Sequence, residues 1–227
     1  MEYLFLSHYY NESTPGYGGK KDFSLKATRS MSKGDSCNQL SFEMSNHVGT
    51  HIDLPFHFDP KGQKLNDYSP QDWIFSQICL LEIPLKAGEL LSPHHFSTKP
   101  NPNVEFLIIK TGFENHRNSD LYWNQNPGLN SELADFLREE YKNLRVLGFD
   151  FISATSFTNK EEGKKAHRAF LAPAKGRPLL ILEDMRLSPL SSETVFSTGV
   201  ISPLLIDKAD GVPVTVFVHV DRKKGLS

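Results

Sequence analysis

Short apolar runs constrain the fold of this chain more than any other feature of its sequence. Four of them, bounded by polar or turn-forming residues, cover residues 78–83, 104–109, 145–149 and 179–182. A short apolar run is typical of a strand that is buried on both faces. Two other segments alternate: residues 40–44 put Leu40, Phe42 and Met44 on one face, and residues 212–220 put valine at every even position. We predict a strand at each of these segments.

Two segments have the periodicity of amphipathic helices. Residues 131–142 place their apolar side chains on one face, and residues 161–171 form a weaker candidate that ends before Pro173. Strands therefore outnumber helices, and long irregular connections join them. We predict one α/β domain over residues 1–227, built on a mixed sheet with few helices.

The charge and the apolar pattern argue against several classes of partner. The formal net charge is −2, which gives no reason to expect nucleic acid or an anionic membrane as a partner. No stretch of about 20 apolar residues could span a bilayer, and the first residues do not resemble a signal peptide. Cys37 and Cys79 are too few for a disulfide framework or a thiolate zinc site. We expect a cytoplasmic protein that acts on a small molecule.

The stretch of residues 46–58 contains a dense set of candidate metal ligands. It places His47, His51, Asp53 and His57 at the spacing H-x3-H-x-D-x3-H. Imidazole nitrogens and carboxylate oxygens together suit zinc, manganese or iron. Four such side chains at odd-numbered positions share one face of an extended chain, so we interpret them as the core of a metal site.

The backbone of this stretch decides how its side chains can meet. Gly49, Pro55 and two β-branched residues disfavour a helix, so we expect an extended chain. His51 and Asp53 would then be about 6–7 Å apart at Cα, close enough to share an ion, whereas His47 would lie about 13 Å from His51. We therefore predict a bend at Gly49, because glycine adopts unusual dihedral angles at little cost.

The same stretch resembles the signature of a known family. The matching string is His47-x-Gly49-Thr50-His51-x-Asp53-x-Pro55-x-His57-Phe58. It is similar to the signature of the metal-dependent cyclase family, which includes bacterial kynurenine formamidases and isatin hydrolases. Residues 109–113, 148–153 and 210–213 are similar to further motifs of that family. The resemblance implies a swivelling β/β/α-like fold and a homodimer or higher homo-oligomer.

The resemblance also implies a second group of ligands. His167, in a predicted helix, and Glu183, at the end of an apolar run, match a histidine and a glutamate of the family. By this resemblance one or two divalent ions, Zn²⁺ or Mn²⁺, are held by His47, His51, Asp53, His167 and Glu183. His57 would stay uncoordinated as the general acid/base. Independently of the resemblance, a glutamate buried at a strand end needs a partner or a metal.

Three segments depart from the family pattern. Thr155 stands where an acidic residue is often expected, residues 173–177 lengthen the connection between His167 and Glu183, and residues 184–187 replace an Asn-rich run. These segments are expected to line the pocket. They therefore bear on the identity of the substrate more than on the metal.

The combined interpretation is a hydrolase that attacks an amide-type C–N bond with metal-activated water. The resemblance implies an aryl formamide such as N-formylkynurenine, or a cyclic amide such as isatin. A lactone or ester hydrolase would use the same site. A non-catalytic protein that binds a metal or small ligand is a third reading, against which an uncoordinated His57 argues. The nearby aromatic residues would pack against an aromatic substrate or in the core; they are Phe23, Phe56, Phe58 and Trp73.

Overall fold

The structure is a computed structural model that describes residues 2–97 and 99–221. Its strands are β1 (Glu2–Phe5), β2 (Phe23–Arg29), β3 (Gln39–Met44), β4 (His51–Asp53), β5 (Ile74–Phe75), β6 (Ile78–Glu82), β7 (Leu90–Leu91), β8 (Phe106–Lys110), β9 (Gly128–Leu129), β10 (Val146–Phe149), β11 (Leu180–Glu183), β12 (Val195–Pro203) and β13 (Gly211–Asp221). Its α-helices are α1 (Asp120–Asn124), α2 (Glu132–Glu140) and α3 (Lys160–Leu171).

A mixed sheet organises the fold. Its strand order in the described part of the chain is β5-β12-β13-β4-β11-β10-β8-β6, and β1 pairs with β13. Strands β6, β8, β10 and β11 run parallel, whereas β4, β13 and β12 follow in antiparallel pairs. The sheet curls until β12 contacts β6. The short strand β4 therefore lies where the parallel half meets the antiparallel half.

The two faces of the sheet pack into two hydrophobic cores. In β8, Leu107 and Ile109 face the core that contains α2 and α3, whereas Phe106 and Ile108 face the core enclosed by the curled sheet. The even-numbered valines of β13 are also buried in the enclosed core, each at most 5% exposed. The alternation predicted for residues 212–220 is therefore confirmed, and β4 is fixed between buried neighbours.

A separate hairpin of β2 and β3 stands apart from the main sheet. Leu40 and Phe42 of β3 are 62% and 60% exposed. The prediction of a strand over residues 40–44 is confirmed, but its apolar face is not part of either core. An alternating pattern shows that one face of a strand is apolar without showing what covers it.

The predicted elements agree with the structure to within two residues at each end. The α/β class, the mixed sheet and the scarcity of helices are confirmed. Strands β1, β2 and β12, the two-residue strands β5, β7 and β9, and the short helix α1 were not predicted. Among the described residues, no helix is both long and apolar enough to span a membrane.

Candidate active site

Strand β4 places two of the predicted ligands side by side. His51 and Asp53 are two residues apart on the strand, so their side chains point to the same face. On the neighbouring strand β11, Glu183 pairs directly with His51. The Nε2 atom of His51 lies 3.3 Å from Oε2 of Glu183 and 3.5 Å from Oδ1 of Asp53. Sheet register alone therefore brings these three side chains together.

A bend before β4 brings His47 to the same place. Gly49 has a φ of +67°, and a Cβ atom there would lie 2.5 Å from the ring of Tyr10. This left-handed conformation is one that glycine adopts readily. Because the chain bends at Gly49, Nδ1 of His47 lies 2.8 Å from Oδ1 of Asp53. The predicted bend at Gly49 is confirmed.

Helix α3 supplies the fifth predicted ligand. The Nε2 atom of His167 lies 3.5 Å from Oδ2 of Asp53 and 3.7 Å from Oε1 of Glu183. Four of the five predicted ligands are at most 5% exposed, namely His51, Asp53, His167 and Glu183. Two buried carboxylates therefore face the same nitrogen atoms.

Backbone carbonyl groups fix the orientation of the two buried imidazoles. Nδ1 of His51 lies 2.8 Å from the carbonyl oxygen of Gly49, and Nδ1 of His167 lies 2.8 Å from that of Gly163. A carbonyl oxygen only accepts hydrogen bonds, so each Nδ1 carries a proton and donates it. Each Nε2 then faces the carboxylates, which is the arrangement found in histidines that bind metal ions.

The charges of the cluster perturb its ionisation strongly. Burial acts to lower the pKa of His51 and of His167, but Glu183 and Asp53 outweigh burial and raise these pKa values to about 9 and about 10. Burial acts to raise the pKa of both carboxyl groups, but the neighbouring imidazoles outweigh burial. They keep the pKa of Asp53 well below its usual value and the pKa of Glu183 below its usual value. Without a metal ion, protons on the two imidazoles thus compensate the negative charge of the two carboxylates.

His57 reaches the site through a turn rather than a strand. The extended chain ends at Asp53, and Pro55–His57 form one short helical turn. The expectation of an extended conformation as far as His57 is therefore wrong, because Pro55 begins a helical turn readily. Nδ1 of His57 lies 2.7 Å from Oδ2 of Asp210, and the His57 ring lies 4.2 Å from that of His47 between centroids.

Asp210 is a site residue that the sequence did not single out. Its Oδ2 atom also lies 3.1 Å from Nε2 of His47, and its Oδ1 atom accepts a hydrogen bond from the side-chain amide of Asn46. Gly211 follows it, and a Cβ atom there would collide with the ring of His47. The motif of residues 210–213 was noted only as a closing strand, although its first carboxylate could have been recognised as a partner for histidine.

Two groups of possible ligands share Asp53. The ligand atoms of His47, Asp53 and His57 lie within 4.8 Å of one another, as do those of His51, Asp53 and Glu183. Geometry alone thus allows His57 either to bind an ion or to remain a free base.

A cavity of about 170 Å³ opens onto these side chains. Besides the six residues from the sequence analysis, its lining includes Pro15, Tyr17, Val48, Gly49, Ile152 and Ser153. Whole small-molecule sites usually have volumes of about 300–1,000 Å³. The cavity therefore has room for the reacting end of a substrate, while the rest of the molecule would lie outside.

The four aromatic residues considered as substrate contacts occupy different environments. Phe58 stacks on the ring of His167 at a centroid distance of 4.9 Å. Trp73 is buried in the enclosed core, Phe23 packs against Tyr10, and Phe56 lies beneath the ammonium group of Lys64. Of these four, Phe58 is the one that contacts a site residue.

Thr155, which stands where an acidic residue is expected, lies beside His167. Its Oγ1 atom lies 3.2 Å from Nδ1 of His167, and its side chain packs closely against Gly163 of helix α3. A neutral hydroxyl thus contacts the outer nitrogen of this imidazole.

The comparison with protein families decides the classification. The family model described as putative cyclase matches residues 4–155. This chain belongs to the cyclase family. Among other members, a kynurenine formamidase of Bacillus cereus is 27% identical over 218 residues, which cover 96% of this chain and 97% of the relative. A kynurenine formamidase of Bacillus anthracis is 27% identical over 220 residues, with the same coverage.

Solved structures share the fold of this cyclase-family chain. Isatin hydrolase A from Labrenzia aggregata, bound to benzyl benzoate, has a TM-score of 0.78 and 18% identity, and the match covers 96% of this chain and 93% of that one. A potential metal-dependent hydrolase with cyclase activity has a TM-score of 0.75 and 19% identity, with 98% of each chain covered. The fold implied by the sequence resemblance is therefore confirmed.

Proposed function

We propose that this protein is a metal-dependent hydrolase that cleaves the amide-type C–N bond of an aryl formamide or a cyclic amide. The observation that carries the proposal is the convergence of two buried carboxylates, Asp53 and Glu183, on the Nε2 atoms of His51 and His167. The kynurenine formamidases, similar over nearly the whole chain, support an aryl formamide such as N-formylkynurenine.

The donor set fits a divalent transition metal. Each buried Nε2 faces a carboxylate at 3.3–3.7 Å, a separation that leaves space for an ion between the ligand atoms. We assign His47, His51, Asp53, His167 and Glu183 as the residues that would hold one or two ions, Zn²⁺ or Mn²⁺. Such an ion supplies Lewis acidity toward a carbonyl oxygen and lowers the pKa of water.

His57 is suited to move the proton during hydrolysis. Asp210 holds its Nδ1 atom at 2.7 Å, and the ring lines the cavity beside the predicted ligands. The imidazole would take a proton from the attacking water and return it to the nitrogen of the leaving amine. The carbonyl carbon gains the water oxygen as the C–N bond breaks, so one water is consumed for each amide cleaved.

Metal content and turnover together test the proposal. We expect about one or two equivalents of a transition metal in protein purified without chelator. His51→Ala and Glu183→Ala should both lower that content, whereas His94→Ala, at an exposed position, should not. The metal-loaded protein should hydrolyse N-formylkynurenine or isatin. Absence of bound metal, with none taken up on addition, would refute the metal-dependent hydrolase.

We further propose that the hairpin of β2 and β3 binds a second copy of this chain. A groove of about 470 Å³ runs beside the hairpin. Its apolar lining includes Phe23, Leu25, Leu40, Phe42, Met44, Pro203 and Leu204. Leu205, next to the groove, is 84% exposed. Contiguous exposed apolar surface of this kind marks a protein interface, and a two-fold pair would cover the groove and the hairpin of both copies.

Sedimentation velocity tests this self-association. Phe42→Asp should shift the wild-type dimer to monomer, because a carboxylate would be buried in the interface. Ile74→Asp is the matched control, since Ile74 is 52% exposed on β5, which is not part of the hairpin or its groove. A wild-type protein that sediments as a monomer at micromolar concentration would refute the proposal.

A further inference from the structure

Asn46 is not one of the proposed ligands and does not line the cavity, yet its side chain contacts the partner of His57. Its amide nitrogen donates a hydrogen bond to Oδ1 of Asp210 at 2.7 Å and another to the carbonyl oxygen of Gly211 at 3.0 Å. A carboxylate and a carbonyl group only accept hydrogen bonds, so the nitrogen of the amide, and not its oxygen, must face them. The two bonds therefore fix the orientation of the Asn46 amide.

The backbone of Asp210 is held by other contacts. Its carbonyl oxygen accepts a hydrogen bond from the backbone amide of Leu54 at 2.9 Å, and the next residue, Gly211, pairs with Asp53 in the sheet. What Asn46 fixes is therefore the rotation of the Asp210 side chain. This side chain is 33% exposed, so water competes for a carboxylate oxygen that no protein donor holds.

The rotation of Asp210 decides what its second oxygen atom contacts. While Oδ1 is bound to Asn46, Oδ2 lies 2.7 Å from Nδ1 of His57. The carboxylate accepts the proton of Nδ1, so in the neutral ring the lone pair of Nε2 is free. A general base needs such a lone pair to take a proton from water. The amide of Asn46 thus acts on His57 through one intervening carboxylate.

We propose that Asn46 is a positioning residue, which holds the Asp210 carboxylate in the orientation that keeps the His57 imidazole ready to act as a base. The proposal rests on the proposed amide hydrolysis, in which His57 moves the proton, and adds a residue two contacts away from that ring. Changing a group that orients a site histidine typically costs about 10- to 100-fold in affinity or rate. Asn46 acts from one contact further away, so we expect a loss at the lower end of this range.

Asn46→Leu tests this role, because it keeps the approximate size of the side chain and removes its donor. Asn66→Leu is the matched control: Asn66 donates a hydrogen bond to Asp207 of the same connection at 2.9 Å, but Asp207 is exposed and does not line the cavity. In metal-loaded protein, kcat of Asn46→Leu with N-formylkynurenine or isatin should fall about 10-fold. Its KM should stay unchanged, because Asn46 is not part of the cavity wall. Asn66→Leu should match wild type in both constants.

A double-mutant cycle separates this role from a general effect on the fold. In an Asp210→Ala background there is no carboxylate for Asn46 to hold, so Asn46→Leu should cause almost no further loss of kcat. Asn46→Asp is a second variant of nearly unchanged shape; its carboxylate only accepts hydrogen bonds and repels Asp210, so it should lose at least as much activity as Asn46→Leu. Equal losses in both backgrounds, or an equal loss in Asn66→Leu, would overturn the proposal.

Proton NMR of the zinc-loaded protein makes the test independent of turnover. The Nδ1 proton of His57 lies in a short hydrogen bond to a carboxylate and should resonate far downfield, where Asp210→Ala removes the signal. In Asn46→Leu the signal should broaden through faster exchange with water, whereas Asn66→Leu should leave it sharp. An unchanged signal in Asn46→Leu would overturn the role of Asn46 and leave amide hydrolysis intact. Broadening in a protein whose wild type hydrolyses neither substrate would overturn the proposed function alone.

Discussion

Asp210 accepts a hydrogen bond from Nδ1 of His57 at 2.7 Å, across 153 residues of sequence. The same carboxylate oxygen lies 3.1 Å from Nε2 of His47. One acidic side chain therefore joins the proposed base to a proposed metal ligand. Burial acts to raise the pKa of Asp210, but the two histidines hold it below its usual value, so the group is a carboxylate at neutral pH.

His57→Ala should lower turnover strongly and leave the metal bound. Loss of a general acid/base lowers kcat by about 100- to 10,000-fold. Elemental analysis of the same preparation separates catalysis from ligation, because His57 also lies near His47 and Asp53. Loss of metal together with activity would assign His57 as a ligand instead.

Asp210→Asn should lower kcat by about 10- to 100-fold, the effect found when a group that orients a site histidine is changed. The amide keeps the shape of the side chain but removes the negative charge that favours one orientation of the His57 ring. Asp207→Asn, at an exposed position nearby, should behave as wild type. Equal steady-state rates for the two variants would show that His57 does not depend on Asp210.

Metal binding should release protons at pH 7.5. In the metal-free protein the pKa values of His51 and His167 are raised to about 9 and about 10, so both imidazoles are protonated at this pH, whereas ligation requires them neutral. Affinity should therefore keep rising as pH increases toward 9–10, and not level off above about 6.5, the ordinary pKa of histidine. Calorimetry in buffers of different ionisation enthalpy counts the protons. Binding without proton release would contradict this ionisation state.

Gly49→Ala should destabilise the fold and weaken metal binding. The backbone there has a φ of +67°, and the new methyl group would meet the ring of Tyr10 at 2.5 Å. A left-handed conformation costs a residue with a Cβ atom about 1–2 kcal/mol before any collision is counted. Gly34→Ala provides the comparison, since its φ is +94° and no atom lies within 4 Å of the new Cβ. Urea unfolding of both variants measures the difference, and equal losses would show that Tyr10 moves aside freely.

Arg117→Leu should cost about 3–5 kcal/mol of unfolding free energy, because it leaves the buried Asp184 without its ion-pair partner. Arg117 donates two hydrogen bonds to Asp184, at 2.7 and 2.8 Å, and Tyr122 donates a third. Burial acts to raise the pKa of Asp184, but Arg117 lowers it below 3.8, so this stabilisation is complete above pH 3.8 and is lost as pH falls further.

Arg186→Leu, at an exposed position, is the control for that substitution. Urea unfolding at pH 7 compares the two variants. Losses of equal size would mean that Asp184 finds another partner when Arg117 is absent.

The sequence predicted the parts of the site that lie close together along the chain. His47, His51 and Asp53 fall within seven residues, and the dihedral demands of Gly49 and Pro55 limited how that stretch could fold. Their convergence could be argued from strand geometry and one bend. The turn at Pro55, however, shows that a local pattern does not specify where a strand ends.

Distant partners could not be derived in this way. His167 and Glu183 were found through a family resemblance, whereas Asp210 and Tyr17 were missed. Their approach to the site depends on which strands pair and on a loop whose residues Pro15 and Tyr17 line the cavity, and neither can be derived from local spacing. The apolar alternation of β3 likewise predicted the strand but did not show that its apolar face would be exposed.

The consecutive carboxylates Glu183 and Asp184 limit where the chain tolerates changes in length. Glu183 faces the histidines, while Asp184, with a φ of +51°, turns to Arg117. Inserting or deleting one residue within β11 would bring each acidic group to the place of its neighbour and disrupt the ligand set and the buried ion pair together. The connection before the strand differs, because residues 174–176 are exposed, whereas Arg177 and Leu179 are held by hydrogen bonds. We therefore expect a change in length between His167 and Glu183 to be tolerated in that exposed segment and not within β11.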